Sequence, residues 1–199
     1  MRRVGTCPGS VISTARLLAA GLLTVALWTT HARAARFEVV DLPDGNGKAL
    51  LLSGPIAATD QDAFHTAAAG LDGSIVLTTG PGGNVRAAVA IGSEIRARGW
   101  TTLVPPQGDC ASACSLIWLA GQRRMMADGA RIGFHAMSTR KNGVYVETHA
   151  PDVDLRRWLT DLGYSYDTTA TIVNTPAALV RWLDPIELRA NGIAVDLYP

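Results

Sequence analysis

The sequence of 199 residues predicts an α/β fold in a single domain, assembled from strand–helix–strand units. Hydrophobic residues make up 48% of the chain and charged residues 18%, a balance that supports a buried core and excludes disordered, collagenous and coiled-coil classes. Short apolar runs rich in β-branched residues alternate with longer stretches of helical periodicity, the rhythm of βαβ units. No internal repeat or low-complexity tract interrupts that rhythm.

The first 34 residues stand apart. Met1, Arg2 and Arg3 precede a polar stretch and then an apolar run from Leu17 to Trp28, shorter than the roughly 20 apolar residues that span a bilayer. Ala32-Arg33-Ala34 closes it with the small-x-small pattern of leader cleavage, so residues 1–34 read as a secretory signal peptide and residues 35–199 as the mature domain, periplasmic or secreted. The alternative is an uncleaved anchor, which would associate the protein with the membrane. The leader carries Arg2, Arg3, Arg16 and Arg33 and no acid, so without it the formal net charge of +1 turns slightly negative. Nucleic acid, which needs a basic surface, is not an expected partner. Cys7 leaves with the leader, and Cys110 and Cys114 remain as an even pair in a compartment that permits disulfides.

Element by element, Lys48 to Leu52 reads as a strand. Thr59-Asp60-Gln61-Asp62 reads as an N-cap followed three residues on by an acid, opening a helix that stops at Gly70. Ser74 to Thr79 is a buried strand by its β-branched content, broken by Gly80-Pro81-Gly82-Gly83. From Asn84 to Arg98 the apolar positions Val85, Ala88, Val89, Gly92 and Ile95 fall on one helical face, ended by Gly99. Thr101 to Val104 is the next strand, and the loop Pro105 to Asp109 leads into Cys110-Ala111-Ser112-Ala113-Cys114 and an apolar helix through Ala120. Met125-Met126 and Arg131 to His135 are strand candidates about a turn at Asp128-Gly129. Ser138 to Ala150 is polar around Lys141-Asn142-Gly143 and reads as an exposed hairpin or flap. Asp154 to Leu162 is a helix closed by Gly163. Asp184-Pro185 is an N-cap with proline at the first helical position, Asn191-Gly192 is a stop, and Ile193 to Leu197 is a last strand.

Chemistry concentrates in three places. The Gly80–Gly83 turn lacks the Gly-Lys-Ser/Thr of a phosphate loop, and Val85 stands where the dinucleotide fingerprint needs its third glycine. It is either a plain strand-to-helix turn or a backbone that a carbonyl oxygen can approach closely, half of an oxyanion hole. Ser112, flanked by Ala111 and Ala113, lies where a loop enters a helix. It either caps that helix or serves as a nucleophile, in which case the N–H of Ala113 is placed for the developing oxyanion. His135, at a strand end, is either an ordinary half-buried histidine or the base that Ser112 requires.

This order of Gly-turn, serine elbow and strand-end histidine resembles the Clp protease proteolytic subunit and its relatives in the ClpP/crotonase superfamily, over roughly residues 50–195. Ser74 to Ile91 resembles the family's strand, Ser-Pro-Gly-Gly turn and helix, with Gly80 in place of the turn's serine. Ala111-Ser112-Ala113 falls on the nucleophile motif, Arg131-Ile132-Gly133-Phe134-His135 on the strand carrying the catalytic histidine, and Glu187 to Ile193 resembles the Glu-Ala-x-x-x-Gly-Leu close. The resemblance implies a ClpP/crotonase-like fold of repeated ββα units, with Ser112 as nucleophile, His135 as general base and then acid, and the N–H groups of Gly83 and Ala113 as the oxyanion hole. A triad also asks for an acid. Counting from Glu187 puts Val180 at the family's aspartate; counting from His135 brings Asp184 near, with Asp167 and Asp154 as further candidates and an acid-free Ser–His dyad as the other option. Relatives such as signal peptide peptidase use serine with lysine, but Lys141, in the polar flap, is the only lysine after the elbow.

Cys110 and Cys114, at i and i+4, share a face if both lie on a helical turn, where they either form a disulfide that fixes the elbow or pack as buried thiols. Two cysteines without paired histidines fall short of a zinc ligand set, so no metal is expected. The expected function is that of an exported serine endopeptidase-like hydrolase forming an acyl-enzyme on Ser112, with a peptide or protein substrate and no cofactor. Export implies no ATPase partner and disfavours an acyl-CoA substrate, and by resemblance the protein forms a homo-oligomer. The alternative is a non-catalytic module of the same fold that binds peptides or supports assembly.

Overall fold

The computed structural model describes residues 34–42, 47–148 and 152–198; the expected leader lies outside the described residues as far as position 33. In chain order the elements are β1 (Arg36–Asp41), β2 (Lys48–Ser53), α1 (Asp60–Ala67), β3 (Ile75–Thr79), α2 (Val85–Ala97), β4 (Thr101–Val104), β5 (Asp109–Ala111) and α3 (Ala113–Leu119). They continue with β6 (Arg123–Met126), β7 (Arg131–Phe134), β8 (Ser138–Lys141), β9 (Val144–Glu147), α4 (Asp152–Asp161), α5 (Tyr166–Val173), β10 (Arg181–Leu183), α6 (Pro185–Ala190) and β11 (Asp196–Leu197). The mixed α/β architecture expected from the alternation is present.

The main sheet has the order β1-β2-β3-β4-β6-β11. Its strands from β2 onward pair in parallel, and β1 is added antiparallel to β2 at the edge. One face of the inner strands is buried in the main core through Leu50, Leu52, Val76 and Val104, while Ile75, Leu77, Leu103 and Met125 on the other face form a smaller, partly covered cluster. A second sheet, β10-β7-β5, holds β5 parallel to β7 and β10 antiparallel to it. At its outer face the Arg131 guanidinium donates to both carboxylate oxygens of Asp109, at 2.9 and 2.6 Å, and lies over the Trp182 ring. That pairing makes Arg131 hold its proton more tightly than usual.

The core lies around α2 and α3. Every residue of α3 is buried, and Trp118, Phe64 and Phe134 are its largest enclosed side chains. Each fully buried Leu, Ile or Phe stabilises the fold by roughly 1.5–3 kcal/mol, enough for a seven-residue helix that would not form alone. Gly92 lets α2 come close: a Cβ there would stand 2.9 Å from the Trp158 ring and 3.0 Å from the Cβ of Ala120. Several polar groups carried into the core are bonded, whereas the buried Thr169 hydroxyl has no partner among the described residues. The Thr102 hydroxyl donates to the Trp118 carbonyl, the Trp118 indole to the Met125 carbonyl, and the Tyr164 hydroxyl to the Leu119 carbonyl at 2.8 Å. Burial pushes the Tyr164 phenol up to about 12, against a smaller opposing pull from Arg124.

Several elements depart from the sequence reading. Thr59 does not cap α1: its backbone is already near-helical and its side chain makes no cap bond. The Asp60 carboxylate instead turns back out of the helix, accepting from the N–H of Ala57 and of Ala35, each at 2.8 Å. Asp128-Gly129 does not close a hairpin, because β6 joins the main sheet and β7 the second one. The last strand shrinks to Asp196–Leu197. Cys110 is not on a helical turn: Asp109–Ala111 pairs with β7 and bridges to Gly80, so it is strand, and only Cys114 is helical. Arg36–Asp41, Tyr166–Val173 and Arg181–Leu183 are elements the reading does not assign. Among the described residues no helix is long and apolar enough to cross a membrane.

Candidate active site

The site grows from the meeting of three backbones. After β3, the Gly80 N–H donates to the Asp109 carbonyl and the Ala111 N–H to the Gly80 carbonyl, so the glycine turn is fastened onto β5. It is not a plain turn. A Cβ on Gly82 would lie 2.6 Å from both the Ala111 oxygen and the Ala113 nitrogen, and its φ of +89° is itself a glycine conformation. The next step bonds to Ile56 on either side of Gly83: Ile56 N–H donates to the Gly82 carbonyl and Asn84 N–H to the Ile56 carbonyl. The N–H of Gly83 is thereby turned away from Ile56, and among the described residues it has no hydrogen-bond partner. Asn84 then caps α2 through the Ala87 N–H.

Ser112 stands between β5 and α3 with φ +57° and ψ −124°, a conformation rare for a residue with a side chain. Its side chain makes no cap bond, which removes the reading of Ser112 as a helix cap. Strain of this kind persists only where the surroundings impose it. Here the Ser112 N–H donates to the Gly133 carbonyl at 2.9 Å. The buried Ser115 hydroxyl sits 2.7 Å from the Gly133 oxygen and 2.9 Å from the Cys110 oxygen. Cys110 and Cys114 are joined by a disulfide with Cα atoms 5.3 Å apart, spanning the elbow from strand to helix.

The same pairing delivers His135. β5 and β7 run parallel with Ala111 opposite Gly133, so Ser112, one residue beyond Ala111, and His135, two residues beyond Gly133, leave the pair at the same end. The His135 Nδ1 lies 2.7 Å from the Ala136 carbonyl oxygen. A carbonyl only accepts, so Nδ1 carries the hydrogen and Nε2 is left as the basic nitrogen. Ala136 is buried and fixed in turn, its N–H donating to the Thr175 carbonyl at 2.6 Å.

Asp184 does not take the acid's place. Its carboxylate accepts the Glu187 N–H while Glu187 accepts the Asp184 N–H, a capping box that occupies it at the start of α6. Asp167 is exposed in the first turn of α5, and Asp154 lies in a neighbouring hollow. Val180 does lie over the site's strand, where a Cβ on Gly133 would be 2.6 Å from its Cγ1, but it carries no carboxylate. The group that holds the His135 ring is instead the Ala136 carbonyl.

Ser112, His135, Gly83 and Ala113 line one cleft of about 290 Å³. Ser138 adds a second hydroxyl, and Leu116, Phe134, Met137, Leu155, Ile172 and Val173 make the rest of the wall apolar. Val85, Met137 and Leu155 also border a second hollow of about 200 Å³ that includes Arg86, Val89 and Asp154. Among the described residues no group of three or more His, Cys, Asp or Glu side chains is clustered to hold a metal.

Sequence reasoning missed two kinds of participant. Ser115 carries a signal, a polar residue inside an otherwise apolar helix whose hydroxyl must find a partner. Ile172 and Val173 lie on α5, whose Thr-Thr-Ala-Thr-Ile-Val run is β-branched and reads as strand; the Ser165 cap on the Thr168 N–H is what sets it helical.

No family model matches the sequence, and no curated protein matches it either. Solved structures do. A serine-to-alanine variant of the 1510-N membrane-bound stomatin-specific protease has a TM-score of 0.56 at 22% identity, covering 74% of this chain and 77% of its own. A lysine-to-alanine variant of that protease in complex with a substrate peptide gives 0.57 at 22% identity, with 74% and 73% covered. An asparagine-to-aspartate variant of ClpP1 from Listeria monocytogenes gives 0.55 at 20% identity, with 74% and 90% covered. The chain therefore has the ClpP-like α/β fold.

Proposed function

We propose that this chain is an exported serine peptidase-like hydrolase that cleaves peptide bonds through an acyl-enzyme on Ser112. The observation that carries this reading is the strained Ser112 sharing a cleft with His135, whose Nδ1 is held by the Ala136 carbonyl. In this mechanism Nε2 of His135 takes the proton of the Ser112 hydroxyl as its oxygen attacks the scissile carbonyl carbon. The N–H groups of Gly83 and Ala113 receive the oxyanion. His135 then passes the proton to the leaving amine, and water repeats the steps to release the acyl group. The fold shared with a stomatin-specific protease held with a substrate peptide supports a peptide in the cleft. The apolar wall would take one apolar side chain, and the hollow flanked by Arg86 and Asp154 extends room for the chain beyond it.

A fluorophosphonate probe tests this reading. Covalent labelling of the folded protein that disappears in Ser112→Ala is the expected result. His135→Ala should slow acylation by about 10²–10⁴-fold while leaving thermal unfolding unchanged. The carbonyl in place of a carboxylate favours a second reading, a peptide-binding module of the same fold. Absence of labelling in the folded wild-type protein, with retained peptide binding, would select it.

A further inference from the structure

Asp60 is a buried carboxylate, 1% exposed, at the first position of α1. Among the described residues no lysine, arginine or histidine side chain pairs with it. Its Oδ2 accepts from two backbone nitrogens, Ala57 just before the helix and Ala35 from the far side of β1, each at 2.8 Å. The positive end of a short helix offsets part of the charge, but an ionised carboxylate out of water with only neutral donors remains costly. The corner it organises matters for the fold. Phe37 of β1 meets Phe64 of α1 there edge to face, with ring centroids 6.1 Å apart.

Ala35 is also the residue that follows Ala32-Arg33-Ala34, the small-x-small pattern read as a leader cleavage site, and Ala34 is exposed. We propose that hydrolysis of the Ala34–Ala35 bond supplies Asp60 with its missing cation, so that the α-ammonium of the processed N-terminus is a structural part of the mature domain. An export-route peptidase cleaves the bond. Water adds hydroxyl to the Ala34 carbonyl, which leaves as a carboxylate, and hydrogen to the Ala35 nitrogen, which takes a further proton near neutral pH. A neutral amide–carboxylate contact thereby becomes a charge-assisted one, roughly twice as strong. The consequence is a domain that gains stability at the moment its leader is removed. This inference rests on the leader reading and is independent of Ser112.

The test begins with the full chain expressed with its own leader in a secreting bacterial host, the N-terminus of the product being determined by mass spectrometry. A second chain carries one serine inserted between Ala34 and Ala35, so that processing leaves a residue ahead of Ala35, and both are paired with Asp60→Asn. With Asp60 present, the extra residue should lower the unfolding temperature by roughly 3–6 °C. With Asp60→Asn it should change almost nothing. If Asp60→Asn does not fold, an α-amine-selective aldehyde replaces the cycle: Ala35 should react at least about tenfold more slowly in the native protein than in urea, and the serine-extended end at similar rates in both. A leader retained or cut elsewhere overturns the processing premise. A product starting at Ala35 whose stability ignores the extra residue, or whose amine is unprotected, overturns the ion pair while leaving the leader reading intact.

Discussion

The Ser112 elbow and the β8–β9 hairpin both border the cleft, yet they are built on opposite principles. At the elbow the backbone of Ser112 is locked to Gly133, the Ser115 hydroxyl reaches two carbonyls, and a disulfide closes the turn, all in buried surroundings. The hairpin stands in solvent with Val144 64% and Val146 40% exposed, turning at Asn142-Gly143 with positive φ at both. Its ties lie near its base, where the Thr148 N–H donates to the Met137 carbonyl and Glu147 accepts the Ala177 N–H. Met137 and Ser138, at the base, line the cleft. A strained backbone persists only among neighbours that cannot relax, whereas segments with few buried contacts open at low cost.

Substitutions on the two sides should separate sharply. The largest effect is expected at Gly82→Ala, where the added methyl meets the Ala111 and Ala113 backbone and the φ is unsuited to alanine. It should remove probe labelling altogether and cost roughly 2–4 kcal/mol in urea unfolding. Next comes the pair Cys110→Ala with Cys114→Ala. Chain entropy for so short a loop accounts for about 2 kcal/mol of stability, and acylation should slow as Ser112 relaxes from its left-handed backbone. The smallest effect belongs to the hairpin: Val144→Ser should change stability by less than about 0.5 kcal/mol and leave the labelling rate as it was. A hairpin variant as damaging as the elbow variants would erase the contrast.

Much of this was legible in the sequence where local chemistry and tertiary packing agree. The β3–Gly80–α2 unit, the hairpin about Lys141-Asn142-Gly143 and the Asp184-Pro185 start of α6 all carry their own turn or cap signals. Ser112 and His135 are singled out by the resemblance of their order after the Gly-turn to the ClpP pattern, and the structure brings both to one cleft. What could not be read was decided at long range. Cys110 is strand because Gly80 and β7 recruit it, and α5, beyond its local Ser165 cap, is held helical against its β-branched content by the burial of Ile172 and Val173 on the cleft. The orienting partner of His135 is a main-chain oxygen, and Ala136 has no side-chain feature to announce it.

The most direct test is a crystal structure of the protein after reaction with a fluorophosphonate. The expected result is phosphorus bonded to the Ser112 oxygen, its phosphoryl oxygen within about 2.7–3.1 Å of the Gly83 and Ala113 nitrogens, and His135 Nε2 facing the Ser112 oxygen. An adduct on another residue, or a phosphoryl oxygen turned away from both nitrogens with the imidazole elsewhere, would contradict it.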